Sequence, residues 1–339
     1  MSSTRETESP EKEVVGVEPW LPRWLGGRWF TAPVRGELLA ALRIGVAAVL
    51  LLDQLLTMLP QMTALYGERS TGAPHFFSWM FQQSNWNWSL LQGIGDGQAL
   101  QLAMWVWMGA TICLLLGWNT RAVAIVVWVL SVSFTNLNVN SINAGDHIRG
   151  ILLMYLMLTP CGAAWSIDAW RRRRMLGAVP QIFVHPWALR LLLVQLSFMY
   201  SASGICKLSG ESWTHGDSLY YVMQDLTLTR FSPQQLELPI WLTQIATWSV
   251  LAWETLFPLL VWNRRTRVAS LWFGVSMHVG ILITMELGGF PLYLLAAYVP
   301  LILEEYYGGD QVLGPFGKFT APERLATTAR RVGLLQIGG

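Results

Sequence analysis

The chain has 339 residues, 53% of them hydrophobic and 13% charged, with 19 Trp and a formal net charge of +2. A mean hydropathy of +0.38 excludes an ordinary soluble domain and a disordered chain alike. The composition points to an all-α fold, a polytopic membrane helix bundle, because a chain in lipid must satisfy its backbone internally.

Residues 1 to about 16 are polar and mixed in charge, which predicts a disordered start, and no cleavable signal with a small-residue cleavage site precedes the first span. Trp20, Trp24, Trp29 and Phe30 then alternate with Arg23, Arg28 and Arg35, the pattern of a segment lying in the inner membrane interface. Residues 1–36 thus form a cytoplasmic lead. Residues 37–304 form the transmembrane domain, and residues 305–339 a cytoplasmic tail too short for a core of its own.

A spanning helix needs about 20 largely apolar residues. About eight segments qualify: Glu37 to Leu59, Ala99 to Leu116, Arg121 to Phe134, Ile148 to Trp165, Trp187 to Cys206, Ile240 to Trp262, Val268 to Met285 and Gly289 to Leu303. Basic residues orient them, since cytoplasmic loops are rich in Lys and Arg. The runs Arg171-Arg172-Arg173-Arg174 and Arg264-Arg265-Thr266-Arg267 both fall inside if both termini are cytoplasmic. Only Arg69, Arg149, Lys207 and Arg230 then face out. The inner basic clusters sit against anionic lipid, which accounts for them without nucleic acid.

Two outer connections are long. The first, about 60 to 98, carries His75-Phe76-Phe77-Ser78-Trp79-Met80-Phe81 and Trp86-Asn87-Trp88 and reads as an interfacial aromatic helix. The second, about 207 to 239, opens Lys207-Leu208-Ser209-Gly210-Glu211-Ser212-Trp213-Thr214-His215-Gly216-Asp217. Lys207 ends the uncharged run Leu191 to Cys206, and burial there disfavours its ammonium form. A free amine so placed can act as a general base, while the alternative is a snorkelling lysine that anchors the helix end.

His147 opens the fourth span and falls on the same side as Lys207, with Asp146 beside it to orient the ring or hold its proton. Asp146 reads equally well as a helix cap. His278 lies inside the seventh span, where an ionisable ring marks either a site or a hydrogen-bonded packing contact between helices. Arg43, Asp53 and Glu254 are further charges within spans and can pair internally. Cys113, Cys161 and Cys206 are odd in number and lack C-x-x-C spacing, so neither a zinc site nor a disulfide framework is suggested. Phosphate-loop, nucleophile-elbow and H-E-x-x-H motifs are absent.

Tyr200 to Gly216 resembles the signature of the HTTM domain, the membrane region related to vitamin K-dependent gamma-carboxylase. Asn143 to Gly150, Trp165-Ser166-Ile167-Asp168, and Met277-His278 through Gly288-Gly289-Phe290 are similar to further family strings and occur in the family order. The resemblance implies a lysine base that deprotonates a reduced quinone, vitamin K hydroquinone or menaquinol, at the outer face. Lys207 and His147 stand in the catalytic positions. Asp146, Arg149, Trp213, His215 and His278 are the supporting or substrate-binding set, with no metal.

The large soluble domain of the animal carboxylase has no counterpart in the sequence, and Cys206 stands where those enzymes have a second lysine. A short bacterial-type relative in the cell inner membrane is therefore expected, its peptide or protein substrate open and a soluble partner protein a candidate for the missing domain. A second reading stands beside it: a non-enzymatic membrane protein for maturation, export or immunity of a small secreted product. A transporter is disfavoured, since the hydropathy pattern shows no internal repeat.

Overall fold

The computed structural model describes residues 33–66, 70, 88–92, 94, 97–138, 141–176, 182–232, 235–236, 238–263 and 265–307. The interfacial segment around Trp20 to Phe30, the string His75 to Phe81 with Trp86 and Asn87, Arg69, Arg264 and the tail beyond residue 307 lie outside these residues.

The described elements run β1 (Val34–Arg35), α1 (Gly36–Asp53, continued by a π-helical turn, Gln54–Met58), α2 (Met62–Tyr66), α3 (Gly97–Leu116), α4 (Thr120–Leu137), α5 (Ala144–Leu158), α6 (Ile167–Leu176), β2 (Phe183–Val184), α7 (Trp187–Leu208), α8 (Glu211–Thr214), α9 (Ser218–Gln224), α10 (Ile240–Trp262), α11 (Arg267–Thr284) and α12 (Phe290–Tyr307). Six of the described helices are long and apolar enough to cross a membrane: α1 with its π turn, α3, α4, α7, α10 and α11. The chain is a multi-pass integral membrane protein. Each of the six begins and ends within about four residues of its expected limits, because a long apolar run between charged or turn-forming residues leaves a helix no other way to satisfy its backbone.

The other two expected spans are helices as well, but differ from the first six. α12 carries Glu304, Glu305 and several tyrosines, which lower its hydropathy. It nonetheless lies at the centre of the bundle, packed on α1, α5, α7 and α11, with Tyr293, Leu294, Ala297 and Tyr298 buried. α5 is shorter than expected. The hydropathy predicts a helix as far as Trp165, but it ends at Leu158, since Thr159 is extended (φ −117, ψ 158). Pro160 accounts for the earlier end, because its ring disfavours helical geometry at the preceding residue, although Pro258 and Pro300 are carried inside α10 and α12.

α1 is the core helix, with 61% of its most apolar window buried against at most 44% for the other five. The opposite order of burial along the periphery fits lipid-facing helices, whose exposed leucines and tryptophans need no protein partner.

The end of the bundle where α1 begins is held by polar contacts. Residues Val34 and Arg35 pair antiparallel with Val184 and Phe183, which ties the start of α1 to the start of α7. Arg43, fully buried, donates to the carbonyls of Cys161 (3.3 Å) and Trp165 (2.5 Å). Asp168 accepts from the backbone N–H of Asn119 (2.9 Å) and from both the N–H and the hydroxyl of Thr120 (2.7 Å each). It thereby satisfies the orphan donors that open α4. Burial works against the Asp168 anion, but these hydrogen bonds and the nearby Arg172 outweigh it and hold the carboxyl below its ordinary range. The Trp-Ser-x-Asp string thus forms a structural clamp.

Candidate functional site

Lys207 sits in the last turn of α7, and α7 packs closely on α10 because Gly204 lets the backbone of Thr255 approach. That contact carries Lys207 to the neighbouring residue Glu254. The Lys207 ammonium donates to both carboxylate oxygens, at 2.6 and 2.5 Å. The pair is asymmetric in exposure, with side chains 22% and 7% accessible. On its open side the ammonium lies 4.6 Å from the ring centroid of Trp213, a cation–π contact. Lys207 therefore terminates its uncharged run against a buried carboxylate supplied by another helix.

Trp213 is presented by the segment that follows α7. α8 and α9 fold back on α10, where Trp248 donates to the Thr214 carbonyl (3.1 Å) and Leu219 N–H donates to Thr247 Oγ1 (3.1 Å). Farther along, the segment is pinned to the end of α11: Arg230 N–H donates to Thr284 O (2.9 Å) and Glu286 N–H to Leu228 O (2.7 Å). The strap over Lys207 is thus fastened on two helices.

Deeper in the bundle, Tyr298 Oη of α12 donates to Tyr200 Oη of α7 (2.9 Å), and Tyr200 Oη lies 2.7 Å from His278 Nε2 of α11. All three side chains are buried. With Tyr200 Oη receiving the Tyr298 proton, the Tyr200 hydroxyl can give its own proton to Nε2 in the tautomer that leaves that nitrogen bare. His278 then carries its proton on Nδ1, and that buried atom has no hydrogen-bond partner. Phe290 packs edge-on to the ring at 5.8 Å, and Lys207 lies within electrostatic range of it. Glu254 is in turn within electrostatic reach of Tyr200 and Tyr298. Four helices, α7, α10, α11 and α12, converge here.

A second polar cluster lies at the same end of the bundle, across α12. Arg149, 1% exposed, bonds Ser131 Oγ (3.0 Å), Thr135 Oγ1 (2.8 Å), Asp53 (3.3 Å) and Asp146 (2.8 Å). Tyr293 Oη also donates to Asp53 (3.3 Å). Asp146 simultaneously closes a capping box, accepting from Asn143 N–H (2.9 Å) while Asn143 Oδ1 accepts from Gly145 N–H (2.7 Å). Its helix-capping reading and its pairing with Arg149 are both present. His147, next in sequence, points outward and is exposed, with no hydrogen bond or ion pair to a described residue. His215 is likewise exposed.

Of the residues singled out from sequence, the fold brings Lys207, Trp213 and His278 to one locality and Asp146 and Arg149 to another. It adds Glu254, Tyr200 and Tyr298, which sequence reasoning does not place in the site. Glu254 is legible as an intramembrane charge, but nothing in the sequence pairs it with Lys207. The two tyrosines carry no signal that separates them from other aromatic residues in a Trp- and Tyr-rich chain.

Residues suited to a quinol are present at the first locality. A buried His278 Nδ1 without a hydrogen-bond partner, the Lys207 cation and the Trp213 ring offer polar contacts for ring oxygens, and Ile205 and Leu208 beside Lys207 are 61% and 48% exposed.

Among known proteins, an uncharacterised protein of Bacillus subtilis (strain 168), YitO, is 26% identical over 140 residues, an alignment that covers 40% of this chain and 44% of that protein. The chain thus matches less than half the length of this curated relative. No solved structure matches. The HTTM domain model matches residues 32–306, nearly the whole bundle, and the chain belongs to the HTTM domain family, the membrane domain related to vitamin K-dependent carboxylase.

Proposed function

We propose that the protein is a vitamin K-dependent carboxylase-like membrane enzyme in which Lys207 is the base toward a reduced quinone, vitamin K hydroquinone or menaquinol. The observation that carries this reading is the seat of Lys207: a lysine at a helix end, held between Glu254 and Trp213, with the unpartnered Nδ1 of His278 in the same locality. When bound, the quinol would supply an acidic ring hydroxyl and a redox-active ring. Lys207 would take the proton, His278 would donate to a ring oxygen, and Trp213 would cover the site from the outer side. The apolar flank at Ile205 and Leu208 suits a ligand that arrives from the bilayer. α5 and α12 bring the spans to eight, with both termini cytoplasmic and the Lys207 site at the outer face of a bacterial inner membrane. The second substrate is then a peptide or protein presented from outside, with or without a soluble partner.

The test is oxygen consumption by purified protein with reduced vitamin K or menaquinol. Wild type should show quinol-dependent uptake that disappears in Lys207→Ala and in Lys207→Arg. The arginine variant keeps a cation on Glu254 and so controls for folding, yet cannot serve as a base. Absence of uptake with every reduced quinone would overturn the lysine-base reading.

One observation favours the non-enzymatic alternative. The Lys207–Glu254 pair also braces α7 against α10, which suffices as a structural role. In that case a folded Lys207→Arg protein retains its maturation, export or immunity function.

A further inference from the structure

Among the described residues, the ion-paired carboxylates of the bundle are held by arginine in every case but one. Arg149 holds Asp53 and Asp146, Arg190 holds Glu304, and Arg267 holds Glu305. Among these described pairs, lysine serves at Glu254. The sequence as a whole contains Lys12, Lys207 and Lys318 and otherwise relies on Arg, so Lys207 is the one lysine of the entire helical region. A guanidinium cannot release its proton to a carboxylate, whereas an ammonium can. Arginine would have served as well for bracing two helices, and would have done so with a better matched fork.

We propose that Glu254 is the proton acceptor that frees Lys207 as an amine when an apolar ligand removes water from the pair. This rests on the quinol reading and deepens it. The two side chains form an ion pair that is open on the lysine side: Lys207 keeps 22% of its side-chain surface while Glu254 keeps 7%. An ammonium–carboxylate pair loses its solvation when an apolar body covers it, and low dielectric then favours the neutral amine and carboxylic acid over the two charges. The transfer needs no rearrangement. One Nζ–H bond breaks, its electron pair stays on Nζ, and an O–H bond forms on Glu254 along a hydrogen bond already 2.5 Å long. The free amine can then accept one proton from a quinol hydroxyl, which leaves Lys207 as ammonium beside a neutral Glu254. Among the described residues, no second cation hydrogen-bonds Glu254, so nothing else there holds its charge. Tyr200 and Tyr298 nearby are neutral phenols, and His278 is tied by Nε2 to Tyr200. Glu254 is thus a positioning residue that acts through Lys207.

The experiment is difference infrared spectroscopy of the full-length protein in lipid nanodiscs on adding oxidised menaquinone, with binding followed separately by tryptophan quenching. Binding should bring up the carbonyl band of a protonated carboxyl group that shifts in heavy water, and the band should be missing in Glu254→Gln. Menaquinone bound without that band, or a band that survives Glu254→Gln, overturns the proposal. In the oxygen-uptake assay Glu254→Gln should lose at least about tenfold, with Glu254→Asp recovering a part. Uptake within about twofold of wild type in a folded Glu254→Gln overturns the role of Glu254 while the lysine base stands. A wild type that neither binds menaquinone nor consumes oxygen with menaquinol removes the quinol reading and this proposal with it.

Discussion

Gly204 of α7 lies against the backbone of Thr255 in α10, so close that a Cβ there would stand 2.6 Å from both the Thr255 nitrogen and its hydroxyl. Small residues at such crossings let membrane helices approach, and this crossing fixes where Lys207, one turn on, meets Glu254, one residue back. Gly204→Val must push the two helices apart, because the obstructing atoms include backbone. The expected cost is about 1–3 kcal/mol, seen as a lower melting temperature in detergent, together with loss of quinol-dependent oxygen uptake. Gly150→Ala, at a position with open space around the missing Cβ, should melt within a degree or two of wild type. A Gly204→Val protein as stable as wild type would show that the crossing is not tight.

The Lys207–Glu254 pair should be strongly non-additive. Removing Lys207 leaves a carboxylate that is 7% exposed without its partner, a change that costs about 3–5 kcal/mol where burial is complete. Partial exposure of Lys207 brings the expected value toward the lower end of that range. Replacing both at once, Lys207→Met with Glu254→Leu, should restore most of the loss, since a well-packed apolar pair replaces a buried ionic one at little net cost. The measurement is a double-mutant cycle of melting temperature. Additive effects would mean that the two side chains do not share one interaction.

How much of this is legible in the sequence differs from residue to residue. The six apolar spans stand out because composition alone determines which segments lipid will accept. Lys207 stands out for the complementary reason, as a lone charge at the end of an uncharged run. Its partner does not, since Glu254 is 47 residues away and the match depends on a crossing set by a glycine and a threonine, neither of which carries chemical signal. His147 illustrates the opposite limit. It stands at a position that the family resemblance makes catalytic, but sequence cannot say which way a side chain in a helix's first turn points, and in the fold it faces outward. The end of α5 is hidden for another reason: a proline can either kink a membrane helix or stop it, and only the packing of the next segment decides.

The Asp168 clamp should respond to pH. Asp168 is held below its ordinary range by the hydrogen bonds from Thr120 and Asn119, so the folded protein binds its proton less readily than the unfolded chain does. Stability from this group is fully present above the unfolded value, near ~3.9, and is lost as pH falls through the lower folded value. Asp168→Asn should therefore melt below wild type at neutral pH by the worth of a helix cap, about 1 kcal/mol, and the gap should narrow as both are taken below about pH 4. A gap that stays constant down to the acid limit would assign the contribution to geometry rather than charge.

Arg149 engages four side chains through one guanidinium. Its fork reaches Ser131, Thr135, Asp53 and Asp146 at once, and lysine cannot occupy four directions from one nitrogen. Arg149→Lys should thus destabilise nearly as much as Arg149→Ala, whereas Asp53→Asn, which leaves Asp146 to balance the guanidinium, should cost less. Melting temperatures of the three variants decide this. A stable Arg149→Lys would show that charge alone matters at this position.

His278 offers a check that does not depend on any ligand. Tyr298 donates to Tyr200, and Tyr200 is 2.7 Å from Nε2, so a chain of donors running toward the ring goes with the tautomer that has its proton on Nδ1. Nitrogen NMR of histidine-labelled protein, with His278 assigned by its loss in His278→Gln, should show Nε2 as the unprotonated, hydrogen-bonded nitrogen. Tyr200→Phe removes the donor and should release the ring to the other tautomer or to a mixture. Tyr298→Phe should leave the wild-type tautomer in place, because Tyr200 still has its own proton to give. A wild-type spectrum with the proton on Nε2 would reverse the direction of the whole chain. Nδ1 would then be an acceptor, and the residue could not donate to a ligand oxygen in the proposed site.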